Sequence, residues 1–142
     1  MTNIVVATDG SAGAGRAVVV AADLAKGLAC NLLIVTVADQ LLGEEIRQLS
    51  HVQVTVGDLL ESLSAQTLRS AEECAREVGV ARISVQTVWG DGAQSLIAIA
   101  VAESTKMIVV GRRGRGRLAG LLLGSVSQKV VSLARCPVVV VP

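Results

Sequence analysis

Between Gly111 and Ser127 the chain carries the residue types best suited to holding a phosphate. The stretch reads Gly111-Arg112-Arg113-Gly114-Arg115-Gly116-Arg117-Leu118-Ala119-Gly120-Leu121-Leu122-Leu123-Gly124-Ser125-Val126-Ser127. Glycines allow backbone N–H groups to approach phosphate oxygens with no Cβ in the way. Gly124–Ser127 has the pattern of a helix opening, where unpaired N–H groups and the positive end of the helix dipole favour an anion. Ser125 and Ser127 add hydroxyl donors, and the arginines add charge. The plainer alternative is that the glycines only make turns and the arginines form a solvated rim. A Walker A loop is excluded by spacing, because Arg117 and Leu118 follow Gly116 where Lys and Ser/Thr are required.

A second chemical signal is Thr8-Asp9-Gly10-Ser11, directly after the first aliphatic run. Asp9 with Gly10 has the pattern of an Asp-Gly turn leading into a helix cap. The glycines at 10, 13 and 15 are in the wrong order for a GxGxxG fingerprint. His51 stands in an expected loop with no second ligand at metal-binding spacing, and reads as exposed filler. Ser125 has no histidine near it in sequence, so no nucleophile–base pair is evident. Glu44, Glu45, Glu61, Glu72, Glu73 and Glu77 read as solvated helix faces.

These residues must be positioned by a scaffold of alternating elements. Asn3–Thr8, Asn31–Val37, Met107–Val110 and Pro137–Val141 are near-continuous aliphatic runs, the pattern of strands buried on both faces. Ile83–Trp89 alternates Ile83, Val85, Thr87 and Trp89 against Ser84 and Gln86, as a half-exposed edge strand does, with Trp89 covering the sheet edge. Helical spacing predicts helices from Ser11 to about Lys26 (ended by Gly27), Asp58–Val78 (stopped by Gly79), Ala93–Ser104 and Gly124–Ala134. In the third, Leu96, Ile97, Ala100 and Val101 share the apolar face. Leu41–Val56 reads as a loop with room for one helical turn. The alternation predicts one domain over residues 1–142, with an open parallel sheet and helices on both faces. In such sheets ligands bind beyond the carboxyl ends of the strands, where both chemical signals lie.

The 142 residues are 51% hydrophobic but include only one aromatic, Trp89. No apolar run reaches the roughly 20 residues needed to span a bilayer, and no signal peptide is evident at the N-terminus. The expectation is a cytoplasmic protein without membrane contact. Cys30, Cys74 and Cys136 are too widely spaced for a metal site and read as reduced, buried thiols. A net charge of +1 gives no global attraction to nucleic acid, and one tryptophan offers little stacking surface for single strands.

Gly111, two residues, Gly114, nine residues and then Gly124-Ser125 match the ATP-binding motif G-2x-G-9x-G-(S/T) of the universal stress proteins. The opening IVVATDGS, the TVAD after the second run, the IVVG at 108–111, GSVS at 124–127 and CPVVVVP at the end also resemble that family. The resemblance covers the whole chain. It implies a doubly wound, Rossmann-like α/β fold with a five-stranded parallel sheet of order 3-2-1-4-5. It implies ATP as ligand, with ADP or AMP as alternatives and Mg2+ as a companion ion. Ala7, Thr8 and Asp9 would contact adenine and ribose, with Asp9 on a ribose hydroxyl. Val37 would line the adenine pocket. Val110, Gly111 and Gly114 would contact ribose and phosphates, and Gly124, Ser125, Val126 and Ser127 would cradle the phosphates.

Two positions depart from the family pattern: Arg112 replaces a common small hydroxyl residue, and Lys106 a common acidic one. Arg112 is a candidate phosphate contact. The resemblance also implies a homodimer paired through Val138–Val141. The expected function is an ATP-binding regulatory or stress-response protein with at most slow ATP hydrolysis. A protein-interaction module on the same fold is the alternative, and an enzyme or nucleic-acid binder using the arginine cluster is a third.

Overall fold

A computed structural model of the chain describes residues 2–38, 56–112 and 123–142. Among these residues the strands are β1 (Asn3–Ala7), β2 (Asn31–Val37), β3 (Ile83–Val88), β4 (Thr105–Gly111) and β5 (Val138–Val141). The helices are α1 (Ala12–Leu28), α2 (Val56–Val78), α3 (Gly92–Ala102) and α4 (Ser125–Leu133). The five strands form one sheet of order β3-β2-β1-β4-β5, and every neighbouring pair is parallel. The sheet order implied by the resemblance is therefore the observed one.

The aliphatic runs of β1, β2 and β4 are buried as their continuity requires, whereas in β5, at the edge of the sheet, Val138, Val139 and Val140 are only half-buried. Ile4, Leu32, Ile34, Ile108, Val5, Val6, Val35 and Val109 are among the fully enclosed side chains. Strand alternation sends them to two cores. Ile4, Val6, Leu32, Ile34 and Val109 meet α1 and α2 through Ala17, Val18, Ala21, Leu68 and Ala75. Val5, Leu33, Val35, Ile108 and Val110 meet α3 and α4 through Ala93, Leu96 and Val130. Alanines on α1 let that helix lie close to the sheet.

Several element limits differ from the sequence expectation. α1 does not stop at Gly27; it continues to Leu28 and ends at Ala29, which takes the left-handed conformation at φ 55. The Cys30 N–H then bonds to Ala25 O at 2.9 Å. Burial of Cys30 at the entry to β2 sets the turn there, and a glycine one turn earlier is simply carried through. α2 begins at Val56, two positions before the expected Asp58, and its C-terminal Gly79 has the expected positive φ of 104. The rest of the Leu41–Val56 expectation and His51 lie outside the described residues.

α3 spans Gly92–Ala102 instead of Ala93–Ser104, and its buried side is Ala93, Leu96 and Ala100 with Ile99 packed alongside. Val101 points outward, 64% exposed. Once Leu96 faces the sheet, a residue five positions later is rotated by about 140° and falls on the opposite side. β3 ends at Val88, and Val88 packs into the core while Val85 and Trp89 are 42% and 52% exposed. The alternation thus identified an edge strand, as observed, but not all of its inward residues.

Candidate functional site

The site begins where β1 and β4, neighbours in the sheet, both end. Gly111 closes β4 against the first turn of α1: a Cβ built there would lie 3.3 Å from Gly13 C and O and 3.5 Å from Ala14 N. A side chain here would be tighter than most real contacts, and the turn of α1 would have to give by a few tenths of an ångström. Two bonds form a neck that joins the end of β4 to the start of α4. Gly124 N–H donates to Arg112 O at 2.8 Å, and the Ser127 hydroxyl donates to Gly111 O at 2.6 Å. Arg112 N–H in turn donates to Val141 O at 2.7 Å, tying the neck to β5.

This clamp sets the start of α4 beside the carboxyl end of β4. Ser11 Oγ accepts from Ala14 N–H to cap α1, and Asp91 Oδ1 accepts from Gln94 N–H to cap α3. At α4 the cap position is Gly124, with no side-chain cap bond. Among the described residues no side chain caps this helix start, and first-turn N–H groups of a helix are suited to an anionic acceptor. Ser125 is exposed and Val126 half-buried. Ser127 is 7% exposed with its proton on Gly111 O. Its hydroxyl therefore holds the neck, and an anion would meet its backbone N–H.

The candidate wall residues share one side of the sheet. Ala7, Val110 and Val126 all pack against the α3–α4 core, and Val37 points the same way by strand alternation. Val37 and Val110 are only 4% and 2% exposed, so they supply an apolar floor and little free area. Ala7 is half-buried and more available. Gly114, Arg113, Arg115 and Arg117 lie outside the described residues; Arg112 is described and half-buried.

Thr8, Asp9 and Gly10 form a tight turn at the other rim. Asp9 Oδ1 accepts from Ser11 N–H at 2.9 Å, and Thr8 Oγ1 accepts from Gly10 N–H at 3.2 Å. Gly10 has a φ of 81, a conformation open to glycine. The buried Thr36 hydroxyl donates to Thr8 O at 2.7 Å and fixes the turn from β2. Sequence reading passed over Thr36 because it sits within an apolar run; a buried hydroxyl among valines is the signal that could have revealed it. On the opposite face of the same turn, a groove of about 300 Å³ runs between α1 and α2, lined by Ser11, Val18, Leu63, Thr67 and Cys74 among others.

Asp91 and Lys129, also passed over, meet across α3 and α4 with Oδ2–Nζ at 3.6 Å. The Gln94 N–H holds the Asp91 carboxyl below the usual carboxylate range, with Lys129 adding to it against partial desolvation. All three cysteines are free thiols; Cys30 is buried, while Cys74 and Cys136 are only partly so. Burial pushes the Cys136 thiol up, against a backbone hydrogen bond involving Ile108. Among the described residues, no group of three His, Cys, Asp or Glu could hold a metal ion. Nor is any described helix long and apolar enough to cross a membrane.

A parallel sheet in this order, with opposed loops at the carboxyl ends of β1 and β4, defines a doubly wound α/β protein whose candidate site lies at the point where the winding reverses. The model of the universal stress protein family matches residues 1–142, and the chain belongs to that family. A Thermus aquaticus relative, "Universal stress protein in QAH/OAS sulfhydrylase 3'region", is 34% identical over 147 residues, covering 97% of this chain and 96% of the relative. A solved universal stress protein in complex with cAMP superimposes with a TM-score of 0.71 at 27% identity, over 98% of this chain and 94% of that one. UspA from Lactobacillus plantarum matches in fold with a TM-score of 0.80 at 23% identity, over 99% and 97% of the two chains.

Proposed function

We propose that this chain is an adenine-nucleotide-binding regulatory protein whose ligand is ATP, held in the crevice between β1 and β4. The observation that carries the reading is the start of α4 held beside the end of β4 by Gly124 N–H to Arg112 O and Ser127 Oγ to Gly111 O. The residues fit the ligand. Ala7, Val37 and Val110 give the base an aliphatic floor, and Thr8 and Asp9 face the sugar. Gly111 and Arg112 flank the phosphate path, and the family motif assigns Gly114 to the phosphates as well. Ser125, Val126 and Ser127 offer backbone N–H groups to the phosphates, with a second donor from the Ser125 hydroxyl, and Gly124 lets the phosphates come close with no Cβ in the way. Mg2+ would arrive on the phosphates. That a structural relative was solved in complex with cAMP supports an adenine nucleotide as the class of ligand.

In this reading, residues 1–142 form one cytoplasmic domain whose output is a conformational signal to partner proteins, with ATP hydrolysis slow at most. Two copies pair through the free edge of β5 (Val138–Val141). The carbonyls of Pro137 and Val141 accept from Ile108 and Arg112, so alternation turns the backbone groups of Val138 and Val140 away from β4. An unpaired apolar edge of this kind favours pairing with another strand.

The test is a calorimetric titration of nucleotide-stripped protein with Mg·ATP, ADP, AMP and cAMP. Saturable binding near one ATP per chain is expected. Tighter binding of cAMP than ATP would overturn the choice of ATP, and no binding of any of them at millimolar concentration would overturn the nucleotide reading.

A further inference from the structure

The Asp91–Lys129 pair stands at the ligand end of the sheet. Asp91 lies between the end of β3 and the start of α3, so it shares the carboxyl-end edge with the opening of α4. Lys129 follows Ser125 by one turn and lies on the same side of α4. Helical side chains lean toward the helix N-terminus. Four residues of rise is about 6 Å, a distance the lysine stem covers. The ammonium is thereby carried back toward the N–H groups of Ser125, Val126 and Ser127, and its contact with Asp91 at the top of α3 is consistent with that direction.

The two oxygens of Asp91 have separate partners. Oδ1 accepts from Gln94 N–H at 3.0 Å and caps α3; Oδ2 faces Lys129 at 3.6 Å. The second contact is longer than a hydrogen bond, and the two side chains are 49% and 59% exposed. Such a pair is weak, and Asp91 can release Lys129 without uncapping α3. A phosphate at the start of α4 would offer the ammonium more negative charge and better acceptors than one carboxylate oxygen.

We propose that Lys129 is a phosphate-binding residue whose ammonium exchanges Asp91 for the outer phosphates of the bound nucleotide. This rests on the nucleotide reading above and adds to it a source of preference for ligands with more phosphate charge. Asp91 acts as the competitor: it holds the lysine in the absence of ligand and sets part of the binding cost.

The experiment is calorimetric titration of wild type, Lys129→Gln, Lys129→Arg, Asp91→Asn and the Asp91→Asn/Lys129→Gln double variant with ATP and AMP. Asn caps helices about as well as Asp, so α3 keeps its cap, and thermal melting checks that every variant is folded. Lys129→Gln is expected to weaken ATP about fivefold and AMP less, while Lys129→Arg stays near wild type. Asp91→Asn is expected to tighten ATP about two- to threefold. That gain should vanish in the double variant, because no lysine remains to be released; simple repulsion between Asp91 and phosphate would preserve it. If folded wild type binds ATP and Lys129→Gln binds it equally well, the exchange is wrong and the nucleotide site stands. Weaker binding by Asp91→Asn, or its gain surviving in the double variant, also overturns the exchange. Absence of any ATP binding by wild type overturns both readings together.

Discussion

Replacing Gly111 by alanine tests the close approach on which the site geometry rests. The new Cβ would sit 3.3 Å from both Gly13 C and Gly13 O, and 3.5 Å from Ala14 N. Relaxed contacts between carbon atoms lie at about 3.5–4.0 Å, so the deficit against Gly13 C is a few tenths of an ångström, and Gly13 O lies close as well. Neither can rotate aside as a side chain could. Relief requires moving the first turn of α1 away from the end of β4, which disturbs packing on both sides of the joint.

Overpacking of this kind costs about 1–3 kcal/mol. With a urea m-value of about 2 kcal/mol/M for a chain of this size, the midpoint should fall by about 0.5–1.5 M. Gly27→Ala is the matched control: it lies inside α1, and its Cβ would meet nothing within 4 Å. It should raise stability by about 0.5–1 kcal/mol through helix propensity. The assay is urea unfolding followed by far-UV circular dichroism for the three proteins side by side. A Gly111→Ala midpoint at or above wild type would refute the claim that glycine is required there by the backbone of α1.

Ser127→Ala removes the donor to the part-buried Gly111 O, at a cost of about 1–2 kcal/mol; ATP affinity should fall with it, and unchanged chemical stability would show that the bond does not hold the neck. Asp9→Ala loses both the proposed sugar contact and the turn bond to Ser11, so ATP should bind more weakly, and Gly114→Val should abolish binding by filling the phosphate path. Equal ATP affinity of both variants and wild type would place the site elsewhere. Val140→Pro removes an outward-facing N–H from β5 and leaves the β4 pairing intact; light scattering should show a monomer where wild type is a dimer. The pH dependence follows from Asp91, whose folded pKa is depressed chiefly by Gln94 N–H. Its contribution is present above the ordinary carboxylate range and is lost as pH falls through the folded value. Melting temperature should therefore drop less between pH 5 and pH 3 in Asp91→Asn than in wild type, and parallel curves would contradict this.

What could be read from the chain alone is what local physics dictates. Uninterrupted aliphatic runs at 3–8, 31–37 and 107–110 can only be buried on both faces, so they had to become the inner strands β1, β2 and β4. Ser11 before an alanine-rich helix, Gly79 after α2 and Gly124-Ser125 before α4 are chain signals whose effect depends on a few neighbouring residues. Sheet order was not among these; it came from likeness to a family, because periodicity carries no information about which strands lie side by side.

Tertiary structure decided the rest, because the partners are distant in sequence. Gly111 reads as a loop glycine until Gly13 is found against it. Ser127 reads as a phosphate donor until its proton is found on Gly111 O. The end of α1 moved past Gly27 because burying Cys30 outweighed the local preference for a glycine stop, and Val101 turned outward because Leu96 claimed the sheet. The pairing of Asp91 with Lys129 carries no pattern in the chain; only the packing of α3 on α4 brings a carboxylate and an ammonium to the same edge as the start of α4. Local preferences select the elements, but contacts between elements assign each side chain its task.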